Sequence, residues 1–360
     1  MKRKGIKTDR HIVVFESDDW GSIRMPSLEV AEWLKAQGVN LCAPRNYDKY
    51  DTLESEHDLT SLMEVLDSVR DKHGKPAKIT MNYVMANPDF KKIREAGYNN
   101  FYYELFTETY KHYPDCEHSF DYLKEGIAKG MFQPQFHGRE HLNVSKWLRT
   151  LRSGDYAANE AFKKACFSMA LTSNPNSSVM AAFDAENEDD SKFIADSITE
   201  GLEIFERIFG FRSQTMIAPC YTWDDAVEVA ANRMGVKLMQ GNAIQRHSTF
   251  FSNKEGKNTQ LRWIGMRNAL GQMYTIRNCS YEPAERPTYD IDRCLSDIES
   301  QFRMHHPAVV TCHRENFIGS LVPRNRDKNL KDLKTMLATI VKKYPDVEFL
   351  SSDELLTFIE

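Results

Sequence analysis

HIVVFESDDWGS, residues 11–22, runs from an apolar, β-branched stretch straight into two adjacent carboxylates. HIVVFES reads as a first strand, and the helical spacing of SLEVAEWLKAQG (27–38) follows it. The same order then repeats along the chain. Helical DLTSLMEVLDSVRDKHG (58–74) precedes strand-like AKITMNYVM (77–85), and FDYLKEGIAKG (120–130) precedes MFQPQF (131–136). SQTMIAP (213–219), VKLMQG (236–241), QMYTIRNCS (272–280), PAVVTCH (307–313) and VEFLS (347–351) read as further strands. Helical TWDDAVEVAANRMG (222–235), YDIDRCLSDIESQFRMH (289–305) and NLKDLKTMLATIVKKYPD (329–346) separate several of them. Strands alternating with helices imply parallel strands joined by crossover helices. The expectation is an α/β fold of roughly seven or eight parallel strands, a barrel, with an open doubly wound sheet as the alternative. GYNNFYYELFTETY (97–110) fits either a helix or a packed loop. A single domain is expected over 1–360, with a helical insertion around 143–209 and a polar hairpin insertion around 247–262.

Composition bounds the function. Of 360 residues, 41% are hydrophobic and 28% charged, an ordinary globular balance with ample length for a large core. The net charge of -5 is interspersed, so no basic stripe points to nucleic acid. No apolar run is long enough for a membrane span. The basic start MKRKGIKTDRH lacks the apolar stretch of a signal peptide. Seven cysteines, at 42, 116, 166, 220, 279, 294 and 312, are widely spaced without a CxxC. That usage predicts reduced thiols in a cytoplasmic protein.

The unusual polar residues fall at strand ends. Asp18 and Asp19 close the first strand, His137 follows another, Pro219, Cys220 and Tyr221 close a third, and His313 ends a fourth. Parallel strands present their C-termini on one edge, so these residues are expected to converge. FQPQFHGREHLN (132–143) sets His137 and His141 four apart. Two imidazoles and one carboxylate suit zinc or a similar divalent ion, and a second carboxylate can serve as base. The letters also fit the H-x-x-E-H pattern of inverzincin proteases, with Glu140 as the base. That reading needs an uninterrupted helix. Strand-like QPQF, Gly138 and a capping Asn143 instead predict a strand-to-helix loop.

VVFESDDWGS (13–22), YLKEGIAKGMFQPQFHGREH (122–141), MIAPCYTWDDAVEVAANRMGVKLMQG (216–241) and PAVVTCHRENF (307–317) resemble, in order, four motifs of the polysaccharide deacetylases, the NodB-type carbohydrate esterases. The resemblance implies a distorted barrel of about seven parallel strands and the removal of an acetyl group from a sugar or related small molecule. It implies one divalent metal ion, zinc, held by Asp19, His137 and His141. Asp18 would be the base and His313 the acid that protonates the leaving group. Trp20, Tyr221, Trp263, Arg277 and Arg314 are the candidate substrate contacts. The chain also departs from the pattern. The family's third motif carries an arginine before its prolines, where this chain reads MIAP; Arg24, Arg277 and Arg314 are the candidates to replace it. Trp20 intrudes before Gly21, and in TIRNCSYEP (275–283) only Arg277, Asn278 and Glu282 are available to tune the acid.

Rival readings remain open on the sequence. A glycosidase or other C–N hydrolase on a related barrel would need two carboxylates flanking a sugar cleft, with Glu16, Glu282 or Glu315 as candidates. A carbohydrate-binding protein that kept the metal and lost turnover is favoured by the missing arginine. Cys220 and Cys312 are expected as buried thiols. His305 and His306 suit a helix end, and DAENEDD (184–190) a solvated acidic loop.

Overall fold

A computed structural model describes residues 5–41, 47–285 and 291–359. The first four residues, Cys42, and the first two residues of the helix expected from Tyr289 lie outside that range. Nine strands form the main sheet: β1 (Ile12–Trp20), β2 (Ile79–Tyr83), β3 (Phe132–Phe136), β4 (Thr215–Ile217), β5 (Leu238–Gly241), β6 (Met273–Ile276), β7 (Cys279–Ser280), β8 (Ala308–His313) and β9 (Glu348–Phe349). Their order is β6-β5-β4-β3-β2-β1-β8-β7, with β9 paired to the start of β1, and every pairing is parallel.

The parallel α/β class is as expected, the count of nine corrects the expected count of about seven, and the sheet is not shown closed into a barrel. The order is a path with two ends, β6 and β7, and those ends are consecutive in the chain. The predicted strand 272–280 changes partners in the middle. Arg277 N donates to Gly241 O on one side, and Asn278 N donates to Val309 O on the other. One sequence run therefore serves two ladders.

Two antiparallel pairs stand outside the sheet. Ala86–Pro88 pairs with Tyr103–Leu105, which resolves the ambiguous aromatic stretch into a short strand followed by a helix, Phe106–Tyr110. Ile244–Arg246 pairs with Thr259–Leu261. The stretch 247–262 is thus not a plain hairpin: a helix, Thr249–Glu255, capped by Ser248, lies between the paired strands. The block 143–209 contains helices Val144–Arg152, Tyr156–Lys163 and Glu188–Phe209. Trp147, Leu148, Phe162 and Phe167 pack with Met25 and Leu34 in an apolar cluster of their own, separate from the one under the sheet.

Helix limits moved where local hydrogen bonding competes. The helix expected at 58–74 is Glu56–Leu66, started by a capping box between Ser55 and Asp58. It stops early because Asp71 Oδ1 accepts from the backbone N–H of His73 and Lys75, which holds a turn instead. The helix expected from 329 begins at Pro323, where a proline suits the first turn.

Candidate active site

Because the strands are parallel, their C-terminal ends share one edge, and a cavity of about 840 Å³ opens there. Asp18, Asp19, His137, His141, Tyr221, Arg277 and His313 all line it. Asp18 and His313 are register partners on neighbouring strands.

Consecutive residues of a flat strand point to opposite faces, so two adjacent aspartates should not both face one cavity. Here β1 is irregular. Its register with β2 shifts between Ser17 and Trp20, and Asp19 takes φ 75°, a left-handed conformation rare outside glycine. The bulge turns both carboxylates into the same space. Trp20 then points into the core, wholly buried, with its indole donating to Ser17 Oγ at 2.9 Å. The expected substrate contact at Trp20 is corrected: the residue completes the bulge.

His137 and His141 lie on the loop between β3 and the helix Val144–Arg152, which Asn143 caps through Lys146 N. Both Nε2 atoms stand 3.4 Å from Asp19 Oδ1. One ligand atom from each of the three buried residues falls within 4.8 Å of the others. His137 Nδ1 faces Ile217 O at 2.9 Å. A carbonyl can only accept, so Nδ1 donates to it, and Nε2, the ring atom beside Asp19, is left as the one that could meet a metal. Burial pushes the His141 pKa down to about 3, which keeps its ring neutral. Its Nδ1 is buried without a partner among the described residues. Burial would raise the Asp19 pKa, but His141, His137 and Arg24 outweigh it, and the carboxylate is ionised. Two imidazoles and one carboxylate fit a divalent ion of the zinc type.

Arg277 donates through Nη1 and Nη2 to both oxygens of Asp18, at 2.6 and 2.7 Å, and through Nε to Glu16 at 2.8 Å. Of the three candidates to replace the arginine absent from MIAP, it is the one paired with Asp18. Asn82 adds a donor to Asp18 Oδ1 at 2.8 Å. Burial alone would raise the Asp18 pKa, yet the guanidinium prevails and holds it below the ordinary value. Across the cavity, His313 Nδ1 meets Glu282 Oε1 at 2.6 Å, and Asn316 donates to the other oxygen of Glu282. Burial would lower the His313 pKa, but Glu282 raises it well above the ordinary imidazole value. His313 Nε2 lies 3.8 Å from Asp18 Oδ2.

The remaining candidates separate. Tyr221 lines the cavity with its backbone at φ 55°, and its hydroxyl accepts from Arg277 at 3.1 Å. Arg314 is wholly buried against Asp51 and Glu54, so it makes no substrate contact. Trp263 is half-buried outside the cavity lining. Glu140 is buried and paired with Arg139 at 2.6 Å, and it does not line the cavity. Cys312 is buried, but Cys220 is exposed on the cavity wall, because its left-handed backbone (φ 56°) turns it outward. His305 and His306 close the end of the helix Ile291–Arg303, with His305 at φ 59° and their backbone N–H groups donating to Phe302 O and Gln301 O, while their rings meet Asp9 and Ile6 O of the N-terminal segment. Arg24, one of the candidates to replace the motif arginine, lies 3.1 Å from Asp19 Oδ2 and 4.5 Å over Tyr47, and sequence reasoning missed Arg246 on the cavity wall. Arg246 does not stand at the end of a main-sheet strand, so strand-end reasoning had no signal for it.

No protein-family model and no curated protein sequence matches the chain. Solved structures do. The chain is similar to a 4-alpha-glucanotransferase from Thermococcus litoralis (TM-score 0.49, 11% identity, 97% of this chain and 40% of that one). It is similar to a protein of Mycobacterium smegmatis classed provisionally as a polysaccharide deacetylase (TM-score 0.46, 11% identity, 99% and 92%). A CE4-family pseudoenzyme of Bacillus anthracis is also similar (TM-score 0.40, 10% identity, 96% and 66%). The chain thus spans less than two thirds of the first of these and about two thirds of the third. Among the described residues, no helix is long and apolar enough to cross a membrane.

Proposed function

We propose that the chain is a metal-dependent hydrolase that removes an acyl group, acetyl in the simplest case, from a sugar or related small molecule. One observation carries the hydrolase reading: Asp19, His137 and His141 offer converging ligand atoms in a cavity where an arginine-paired Asp18 and a glutamate-paired His313 face each other. The sugar and the acetyl group rest on the motif resemblance. The same reading takes residues 1–360 as one domain acting in the cytoplasm on a carbohydrate or small-molecule substrate, without nucleic-acid or membrane partners.

When bound, a divalent ion supplies Lewis acidity, polarising a carbonyl and acidifying water. Asp18, kept ionised and aimed by Arg277 and Asn82, takes a proton from the attacking water. His313, held protonated by Glu282, gives a proton to the departing amine or alcohol. A glycosidase is disfavoured, since the lining carboxylates among the described residues are the adjacent Asp18 and Asp19. Glu16 is spent on Arg277, and Glu315 is buried away from the cavity. The reason for a non-catalytic binder, a missing arginine, is met by Arg277.

The test is metal content of the purified protein beside His137→Ala and His141→Ala. About one divalent ion per chain is expected in the wild type and none in either variant. A wild type that takes up no zinc when it is supplied overturns the reading.

The pH profile checks the acid. His313 must be protonated to act, so activity falls as pH rises through its raised pKa. Glu282→Gln removes the main stabiliser of the charged ring, and the alkaline limb is expected to move to lower pH. An unmoved limb would assign that ionisation elsewhere.

A further inference from the structure

We infer that the substrate carries an anionic group, a phosphate or a carboxylate, and that Arg246 on the cavity wall reads it. The inference deepens the hydrolase reading and rests on it for the acyl chemistry.

Three arginines line the cavity: Arg24, Arg246 and Arg277. Two are committed, Arg277 to Asp18 and Glu16, and Arg24 to Asp19. His313 has Glu282. Each lining carboxylate thus has its own arginine, and Arg246 is left over. It is exposed, and among the described residues no carboxylate lies within ion-pair distance of it. An exposed arginine is ordinary on an outer surface, where water satisfies it. This one is on the wall of a cavity, and its place there is fixed by backbone. Arg246 pairs with Thr259 across the two-stranded sheet and bridges Thr222, and its carbonyl accepts from Trp223 N at 3.0 Å. Ile244, two residues earlier, lines the same wall and is 59% exposed. A guanidinium beside an apolar side chain is less well hydrated than one in open water, which strengthens a charge-assisted bond to an entering anion.

The whole-chain charge sharpens the point. A protein of net charge -5 repels anions at long range, so its cavity does not gather them by steering. An uncompensated cation on the wall acts at contact distance and contributes selectivity. A neutral substrate gains nothing from it. A phosphate or carboxylate gains a planar donor pair whose geometry matches its oxygens.

The experiment is calorimetric titration of the purified protein with N-acetylglucosamine, its 6-phosphate and its 6-carboxylate. At least one anionic form is expected to bind on the order of tenfold more tightly than the neutral sugar, a difference of about 1.4 kcal/mol. The arm that shows it, phosphate or carboxylate, identifies the group. Arg246→Ala should erase the preference, and Arg246→Lys should keep part of it. The side chain is exposed and makes no hydrogen bond or ion pair among the described residues, so both variants should remain folded. A bound metal also attracts anions, so the series is repeated on His137→Ala. There the preference persists if Arg246 reads the anion, and its loss overturns the inference in favour of the metal. Equal binding of the three sugars, binding of none, or a preference that survives Arg246→Ala also overturns it. A wild type without metal defeats the hydrolase reading alone, because these titrations do not depend on turnover.

Discussion

Replacing Arg277 by alanine is expected to destabilise the protein by about 3–5 kcal/mol, because two buried carboxylates lose the cation they share. The guanidinium has no exposed side-chain surface, Glu16 has none, and Asp18 has 5%. Nothing from solvent can replace it. In the wild type, Asp18 is held below its ordinary pKa, so its contribution is present above the unfolded value and lost as pH falls through the folded one. In the variant, burial meets only weaker opposition, from His137 and His313 at Asp18 and from Ser352 at Glu16, so Asp18 rises and Glu16, already raised in the wild type, rises further. Their folded pKa values then exceed the unfolded ones, so the defect is deepest near neutrality and shrinks as pH falls into the ordinary carboxylate range. Denaturant unfolding at two pH values reads both effects. A loss below about 1 kcal/mol, the worth of an exposed ion pair, would mean that the three groups are not coupled as described.

Asp18→Asn is expected to lower the turnover of an acylated sugar by about 10²- to 10⁴-fold, the range for a positioned general base, while the protein still binds its metal. Asparagine keeps the size of the side chain and one acceptor oxygen but cannot take a proton at working pH. Asp19, His137 and His141 supply the candidate ligands, so metal content should not change. Activity and metal lost together would place Asp18 among the ligands. Activity retained would move the base elsewhere on the cavity wall. Because the substitution also weakens the pairing with Arg277, folding is measured on the same samples to separate a lost base from a lost fold.

Much of the cavity wall is legible in the sequence alone, for a physical reason. In a parallel sheet, strand direction and strand end together locate a residue, so Asp18, Asp19, His137 and His313 could be placed on one edge from local pattern alone. Asn143 as a cap, and hence the loop that carries the histidines, was equally local. Trp20 and Arg314 misled because residue type says nothing about which way a side chain leaves the strand. A bulge at Asp19 sent Trp20 into the core, and Asp51 and Glu54 took Arg314.

By itself, then, the sequence determined the alternation of strand and helix, the polar strand ends and the spacing of the paired histidines. All of these are periodic or short-range. The tertiary structure alone decided that the sheet runs through nine strands, that one run splits at Arg277 and Asn278 between two ladders, and that Arg277 neutralises an aspartate 259 residues away. Charge partners are chosen by distance in space. That distance is set by strand order and by a single left-handed residue, and neither leaves a periodic trace in the chain.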